Sequence, residues 1–251
     1  MNNDDVKYSI IIPTFNEEHY ISSLLKEIET QRATLPYKIE IIIADGKSSD
    51  QTVEICNKFD TNIVYSPKGR GSQLKKGAVS ARGEIFIFLH ADLSIPPNMF
   101  LFIDNNFIPE SDIAVFKMRY SEDKMLFKIY SFFTQFESVF STFGDQGLVV
   151  AKKRYNEIGG FKDIPVMEDV EFFRKARKSG HIKKFNEYIT ASTRKFKERG
   201  MIKTQLLSFI LIVKYFLGGD PQKIYEIYYK EKHDEETGSN YFCKISGAGE
   251  S

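Results

Sequence analysis

The sequence has few cysteines, no tryptophan and almost no net charge. Its 251 residues include only two cysteines, Cys56 and Cys243. Their number and spacing argue against a disulfide framework or a zinc site and indicate a reducing compartment. The formal net charge is +1, so overall charge does not point to a nucleic-acid partner. We therefore expect a cytoplasmic protein that does not bind nucleic acid.

A long hydrophobic run is also missing. The segment 205–219, "QLLSFILIVKYFLGG", lies in a stretch that is uncharged only between Lys203 and Lys214. That stretch is far shorter than the about 20 residues that span a bilayer. It is typical of a mostly buried helix, and the alternative is a helix lying at the inner surface of a membrane. The N-terminal "MNNDDVKYS" lacks the basic and apolar regions of a signal peptide.

Strand and helix patterns alternate over the first hundred residues. Five apolar segments predict strands, at 8–12, 39–44, 62–65, 84–89 and 113–118. The second and fourth are nearly continuous in Ile and Phe, which is typical of strands covered on both faces. Helical patterns lie between them, in "EEHYISSLLKEIETQ", "SDQTVEICNKF" and "GSQLKKGAVSARG". This order predicts an α/β fold with a doubly wound, mostly parallel sheet.

The second half of the chain is less regular. A Phe-rich helix is predicted in "EDKMLFKIYSFFTQFESVF", followed by a short strand in "GLVVAK". Two more helices are predicted, one in "KRYNEIGG" that ends at Gly159 and one in "EDVEFFRKARKSG" that runs from Glu168 to Gly180. An aromatic stripe on a helix is usually core, although the Phe-rich segment also suits an acceptor or a lipid.

Polar side chains follow four predicted strands. The candidate residues in these loops are Pro13, Thr14, Asn16 and Glu17 after the first strand, Asp45 and Gly46 after the second, Lys68, Gly69 and Arg70 after the third, and His90, Ala91 and Asp92 after the fourth. Ligands of open parallel sheets bind beyond the carboxyl ends of the strands. Glycines and cations before a helix suit a diphosphate. Each loop alone also fits an ordinary turn, but together the four loops predict a nucleotide-plus-metal site.

The chain resembles a family-2 glycosyltransferase with the GT-A fold. The resemblance covers roughly residues 7–200 and rests on "SIIIPTFNEEHYISSLLKEI", "IEIIIADGKSSDQTVEI", "SPKGRGSQLKKGAVSARGEIFIFLHADLSIPPN" and "GDQGLVVAKKRYNEIGGFKDIPVMEDVEFFRKARKSG". It is nearest to a bacterial subgroup with GRGxQ, HAD, GDQG and MEDVE blocks. The implied organisation is a GT-A domain over 1–200, a helical C-terminal extension over 201–236 and a disordered tail over 237–251.

The resemblance implies an inverting transfer of a sugar from a nucleotide-sugar donor to an acceptor hydroxyl, assisted by Mg or Mn. The implied donor-binding residues are Pro13, Thr14, Asn16, Glu17, Asp45, Gly46, Lys68, Gly69, Arg70, Ala91 and Arg194, with Lys195 beside the last. Asp92 matches the second Asp of the Asp-x-Asp metal motif, and His90 stands where the first is expected. Asp169 matches the catalytic base, and Glu168 belongs to the same pair.

Three points stay open at the level of sequence. His90 could donate to a ribose or phosphate oxygen, or ligate a softer divalent ion. Asp145 and Gln146 could position the acceptor, whose nature (sugar, lipid or small molecule) is unknown, or form an ordinary turn. Two other functions compete, namely nucleotidyl transfer and non-catalytic binding of a nucleotide sugar. The first is disfavoured because "PTFNEE" follows the first strand where a Gly-rich loop is expected, and the second rests on His90 alone.

Overall fold

The computed structural model describes residues 5–193 and 201–236. The strands are β1 (Val6–Thr14), β2 (Lys38–Asp45), β3 (Asn62–Tyr65), β4 (Ile85–Phe88), β5 (Leu93–Ser94), β6 (Ile113–Tyr120), β7 (Leu148–Ala151) and β8 (Ile182–Ala191). The helices are α1 (Ile21–Arg32), α2 (Thr52–Cys56), α3 (Arg70–Ser80), α4 (Met99–Asn106), α5 (Met125–Phe133), α6 (Lys152–Ile158), α7 (Glu168–Ser179), α8 (Met201–Phe216) and α9 (Pro221–Glu236). A 3₁₀ turn spans Gly144–Gln146.

All eight strands belong to one mixed sheet, in the order β3-β2-β1-β4-β7-β6-β8-β5. Strands β3, β2, β1 and β4 run parallel to one another. Strand β7 is antiparallel to both β4 and β6, whereas β6 and β8 are parallel. The predicted α/β fold is therefore confirmed, with antiparallel pairs around β7 and between β5 and β8.

The continuous apolar strands lie at the centre of the sheet. Side chains on one face of β1, β2 and β4 pack in a cluster with α1 and α4. Side chains on the other face pack with α3, α6 and α7. Helices therefore cover both faces, which is why β2 and β4 read as unbroken Ile and Phe runs. The core fixes the positions of the strand ends, from which the following loops begin.

The sequence patterns missed two strands and overestimated one helix. In β8, "IKKFNEYITA", only Ile182, Phe185 and Ile189 are fully buried, so the apolar residues show no period of two. A register shift opposite Val115 and Lys117 accounts for the broken period. Strand β5 has two residues, too few for a pattern. Helix α5 ends at Phe133, before the end of its Phe-rich segment.

The Phe-rich segment is largely exposed rather than core. On α5 only Phe127 is fully buried. The exposed apolar side chains are Met125, Leu126, Ile129, Phe132, Phe133, Phe136 and Phe140. The expectation that much of this Phe-rich segment is core is wrong.

The described residues form two compact units, one with the residues up to Ile164 and Glu168–Thr193, the other with Pro165–Met167 and the residues after Thr193. The second unit contains α8 and α9. In α8, Leu211 and Ile212 are buried, whereas Phe209 and Ile210 are exposed. None of the helices described here is long and apolar enough to cross a membrane. The predicted tail, 237–251, lies outside the described residues.

Candidate active site

The carboxyl ends of β1 and β2 are joined by hydrogen bonds around one buried carboxylate. Asp45 is completely buried. Its Oδ1 accepts from the hydroxyl of Thr14 at 3.0 Å and from the hydroxyl of Ser48 at 2.6 Å, and its Oδ2 accepts from the Ser48 amide at 2.8 Å. The Gly46 amide donates to the Thr14 carbonyl at 2.9 Å. Asp45 is thus held in one orientation at the edge of the sheet.

The loop after β1 is fixed to the loop after β2. Pro13 is the residue before Thr14 in β1 and pairs with Ala44 of β2. Asn16 has a left-handed backbone (φ 57°), a conformation that Asn tolerates better than most residues. Its side-chain oxygen accepts from the Ser49 amide at 2.9 Å. The Glu17 amide donates to the hydroxyl of Thr52 at 2.8 Å.

The basic loop after β3 leads directly into α3. Gly69 has φ 141°, and the helix begins at the next residue, Arg70. The Lys68 ammonium lies 4.0 Å from the centre of the Phe15 ring, so the loops after β1 and β3 are in contact. A Cβ on Gly71 would lie 2.5 Å from the carbonyl oxygens of Lys162 and Ile164. Only glycine allows this close approach of the backbone.

Arg70 joins α3 to the first turn of α7. Its Nε lies 2.8 Å from Oε1 of Glu168, and its Nη2 lies 3.6 Å from Oδ2 of Asp169. The Gly144 amide donates to Asp169 Oδ2 at 2.9 Å. A Cβ on Gly144 would come within 3.0 Å of the Asp169 Cβ, so the 3₁₀ turn packs closely on this carboxylate. Residues remote in sequence therefore meet at one point.

Burial strongly perturbs the charges around this point. It raises the pKa of Glu168 to about 7, an effect opposed by Arg70 and reinforced by Asp169. It also raises the pKa of Asp145 to about 6, opposed by Arg70 and Lys184 and reinforced by Asp169 and Asp92. Such displaced pKa values, in groups that converge from several loops, are typical of functional sites.

Lys184 and Tyr120 belong to the same electrostatic cluster. Burial lowers the pKa of Lys184 to about 8, and the negative charge of Asp145 opposes this effect. Burial raises the pKa of Tyr120, and Tyr130, Asp145 and Asp92 add to it. The Tyr120 ring also lies 5.6 Å from that of Tyr130 on α5. The sequence patterns missed both residues, since β8 was not predicted and Tyr120 follows the predicted end of its strand.

The His90-Ala91-Asp92 segment connects β4 to β5. The Asp92 carbonyl accepts from the Ser192 amide at 3.3 Å, and Leu93–Ser94 pairs with the end of β8. Ala91 is buried, whereas His90 and Asp92 are partly exposed. Asp92 therefore lies at the same edge of the sheet as the ends of β1 and β2.

The side chain of Gln146 makes its hydrogen bonds inside the protein. Its Nε2 donates to the Ser141 carbonyl at 2.5 Å, and its Oε1 accepts from the Lys184 ammonium. The side chain is almost completely buried. Gln146 thus uses both ends of its amide to hold the 3₁₀ turn and Lys184 in place.

The carboxylates suit a hard divalent cation that shares its coordination with a ligand. Asp92, Asp145 and Asp169 offer oxygen donors, which Mg²⁺ and Mn²⁺ prefer. Within residues 5–193 and 201–236, no three acidic, His or Cys side chains are grouped closely enough to hold a metal by themselves. Mg²⁺ commonly binds one or two carboxylates and completes its shell with phosphate oxygens and water. The donor set fits that arrangement.

Most of the predicted site residues lie in the first compact unit, around one edge of the sheet. Thr14, Asp45 and Gly46 form one group, and Arg70, Gly144, Glu168 and Asp169 form another. Asp145 follows Gly144 of the second group, and the charges of Asp92 and Lys184 act on Asp145. Arg194 and Lys195 lie outside the described residues.

Comparison with known proteins gives a consistent assignment. The family model for glycosyl transferase family 2 matches residues 9–145, more than half of the chain. A dolichol-phosphate mannosyltransferase of Pyrococcus furiosus is 31% identical over 116 residues, which are 44% of this chain and 32% of that protein. The poly(ribitol-phosphate) β-N-acetylglucosaminyltransferase TarS of Staphylococcus aureus is 30% identical over 129 residues, 45% of this chain and 21% of TarS. The match thus spans a third or less of these curated relatives.

Solved structures share the fold. The crystal structure of S. aureus TarS with UDP-GlcNAc has a TM-score of 0.59 and 23% identity, covering 74% of this chain and 58% of that one. The mannosyltransferase PcManGT of Pyrobaculum calidifontis, with GDP-Man and Mn²⁺, has a TM-score of 0.63 and 16% identity, covering 88% of this chain and 68% of that one. The architecture is that of GT-A enzymes, and the chain belongs to glycosyl transferase family 2.

Proposed function

We propose that this protein transfers a sugar from a nucleotide-diphosphate sugar to an acceptor hydroxyl, with inversion at the anomeric carbon. The observation that carries the proposal is the meeting of Arg70, Glu168 and Asp169 at the edge of the sheet that also holds Asp45. A cation for a leaving phosphate and a carboxylate for an attacking hydroxyl then lie side by side. The relatives named above, by their own names, transfer sugars.

The donor would lie across the ends of the parallel strands. We assign to Asp45 the hydrogen bond from a base or a ribose, a use of carboxylates that is common in nucleotide-binding folds. The loop with Lys68 and Gly69 brings positive charge and accessible backbone amides to the diphosphate. The other proposed donor contacts are Pro13, Thr14, Asn16, Glu17, Gly46, Arg70 and Ala91, with Arg194 proposed from resemblance alone.

Asp92 is the proposed protein ligand of the divalent ion, Mg²⁺ or Mn²⁺. When bound, the ion supplies Lewis-acid stabilisation of the diphosphate leaving group. Arg70 adds a second positive charge to the same region. PcManGT, whose structure contains GDP-Man and Mn²⁺, provides the parallel among GT-A enzymes. The two roles proposed for His90 are an additional ligand of the ion and a donor to the ribose.

Asp169 is the proposed general base. It lies in the first turn of α7, beside Glu168. The Gly144 amide holds its Oδ2, and Glu168 takes the closer contact with Arg70. A single base that removes the proton as the hydroxyl attacks gives a direct displacement, which inverts the anomeric carbon.

The acceptor is proposed to enter beside α5. Glu168, Asp145 and Gln146 are the residues that we assign to this side, Gln146 through the contacts that hold the turn. Tyr120 connects the carboxylates to α5, whose outer face exposes Phe132 and Phe133. We therefore propose an acceptor with an apolar part, or one presented at a membrane surface. The relative from P. furiosus acts, by its name, on dolichol phosphate.

The base assignment is tested by Asp169→Asn, with donor binding and sugar transfer measured separately. Loss of a general base lowers transfer by about 10²–10⁴-fold and leaves donor affinity within a few fold of the wild type. Asp123→Asn, which neutralises an exposed carboxylate paired with Lys128, is the matched control and should leave both unchanged. Transfer by Asp169→Asn within about tenfold of the wild type would refute the assignment.

A further inference from the structure

The Asp-x-Asp motif of the resemblance is incomplete, because His90 takes the place of its first carboxylate. Loss of that negative charge should weaken the binding of a hard cation. Nothing within the His90-Ala91-Asp92 segment restores the charge. Strand β7, however, is the antiparallel neighbour of β4, and the chain entering β7 passes the same edge of the sheet.

The pairing of β4 with β7 brings Asp145 to the same edge of the sheet as the segment. Phe88 pairs with Leu148, and Ile87 pairs with Val149. His90 follows Phe88 by two residues and Asp145 precedes Leu148 by three, so the segment and the 3₁₀ turn leave this strand pair at the same edge of the sheet. The charge of Asp92 acts on Asp145, in agreement with that placement.

The Asp145 carboxylate has an unsatisfied oxygen. Its Oδ1 is buried and has no hydrogen-bond partner among the described residues. A buried carboxylate oxygen without a partner is costly, and such groups are normally satisfied by a donor, a water molecule or a cation. The side-chain amide of Gln146 donates to the Ser141 carbonyl, and the Lys184 ammonium on β8 donates to Gln146 Oε1.

The charge balance favours a cation. The charged groups that act on Asp145 are Arg70 and Lys184, which are positive, and Asp169 and Asp92, which are negative. With Asp145 itself and Glu168, which pairs with Arg70, these groups of the described part of the chain comprise four carboxylates and two cations. A divalent cation would balance this excess, whereas a further anion would increase the repulsion unless it brought a cation with it.

We propose that Asp145 is the second protein ligand of the divalent cation, and that it supplies from the turn before β7 the carboxylate that His90 does not. This inference rests on the proposed function, since the diphosphate of the donor completes the coordination. It assigns Asp145 to the metal in preference to the acceptor. Asp92 and Asp145 then hold the ion from the segment after β4 and from the turn before β7, two neighbouring strands of the sheet.

The test is Mn²⁺ binding, measured by the electron paramagnetic resonance of free Mn²⁺ in the presence of UDP and, separately, of GDP. The wild type should bind Mn²⁺ more tightly with at least one of the two diphosphates than without it. Asp145→Asn should weaken this binding at least about tenfold, since even outer-shell changes cost about 10–100-fold. Asp123→Asn is the matched control and should bind as the wild type does.

A second variant is expected to gain Cd²⁺ binding, a result that a loss of folding would not produce. Asp145→Cys places a thiolate in the site, and thiolates prefer softer ions to Mn²⁺. With the same diphosphate, this variant should bind Cd²⁺ and show a thiolate-to-cadmium absorption band that Asp145→Asn lacks.

Two results would overturn the inference, and they differ in whether the proposed function fails as well. If Asp145→Asn binds Mn²⁺ as the wild type does while Asp92→Asn does not, Asp145 is not a ligand and the proposed function stands. If neither diphosphate brings Mn²⁺ to the wild type, the proposed function fails and this inference fails with it.

Discussion

Glu168→Gln should change how the stability of the protein depends on pH. Burial, together with the charge of Asp169 and against that of Arg70, raises the pKa of Glu168 from 4.5 to about 7. Between these two values the folded state keeps a proton that the unfolded state has lost. The free energy of unfolding therefore falls as the pH rises through this window. Glutamine has nearly the same shape and does not titrate.

The expected size follows from the displacement of the pKa. Each pKa unit corresponds to 1.36 kcal/mol, so a rise from 4.5 to about 7 amounts to about 3 kcal/mol. This stability is present below about pH 4.5 and is lost by about pH 7. The free energy of unfolding of Glu168→Gln minus that of the wild type should thus increase by about 3 kcal/mol as the pH rises between these limits.

Urea denaturation near pH 4.5 and near pH 8 measures this difference, with both proteins in the same buffers. Glu110→Gln alters an exposed carboxylate and is the control, whose stability curve should run parallel to that of the wild type. Parallel curves for Glu168→Gln as well would show that Glu168 is not held in a perturbed, buried state. The electrostatic description of the site would then be wrong.

Two further predictions concern packing and surface. Gly71→Ala places a Cβ 2.5 Å from two backbone oxygens, so overpacking should lower the free energy of unfolding by about 1–3 kcal/mol, measured by urea denaturation. The exposed change Lys75→Ala on the same helix should be nearly neutral, and equal stabilities would contradict the close packing. If α5 faces a membrane, Phe132→Ser should weaken co-sedimentation with phospholipid vesicles several-fold, since it removes exposed apolar area. Leu101→Ser, an exposed apolar change on α4, should not, and equal losses would refute a specific role of α5.

The parts of the fold that follow a local rule were predictable from the sequence. Strands buried on both faces read as apolar runs, and Gly159 ends α6 with a left-handed backbone (φ 84°). Strand β8 was not predicted because a register shift breaks its period and because Lys184 and Asn186 interrupt its apolar residues. The exposure of α5 was not predicted because its composition is that of a buried helix.

The candidate site shows the same division. The strand-end rule brought Thr14, Asp45 and Arg70 to one edge without any structural information. It could not show that Arg70 reaches α7, because that contact joins residues about a hundred positions apart. The electrostatic role of Asp145 depends on the antiparallel placement of β7, which no local pattern reveals.

Binding of a nucleotide sugar is the decisive measurement. A thermal-shift series with UDP- and GDP-sugars, each with and without Mn²⁺, should include a donor that stabilises the protein. At a hundred times its Kd a ligand adds about 2.7 kcal/mol, which raises the Tm of a protein of this size by roughly 5–10 °C. Asp45→Asn should abolish the shift, and Asp60→Asn, an exposed change, should retain it. If no nucleotide sugar raises the Tm, or if the shift survives in Asp45→Asn, the strand-end loops are not a donor site.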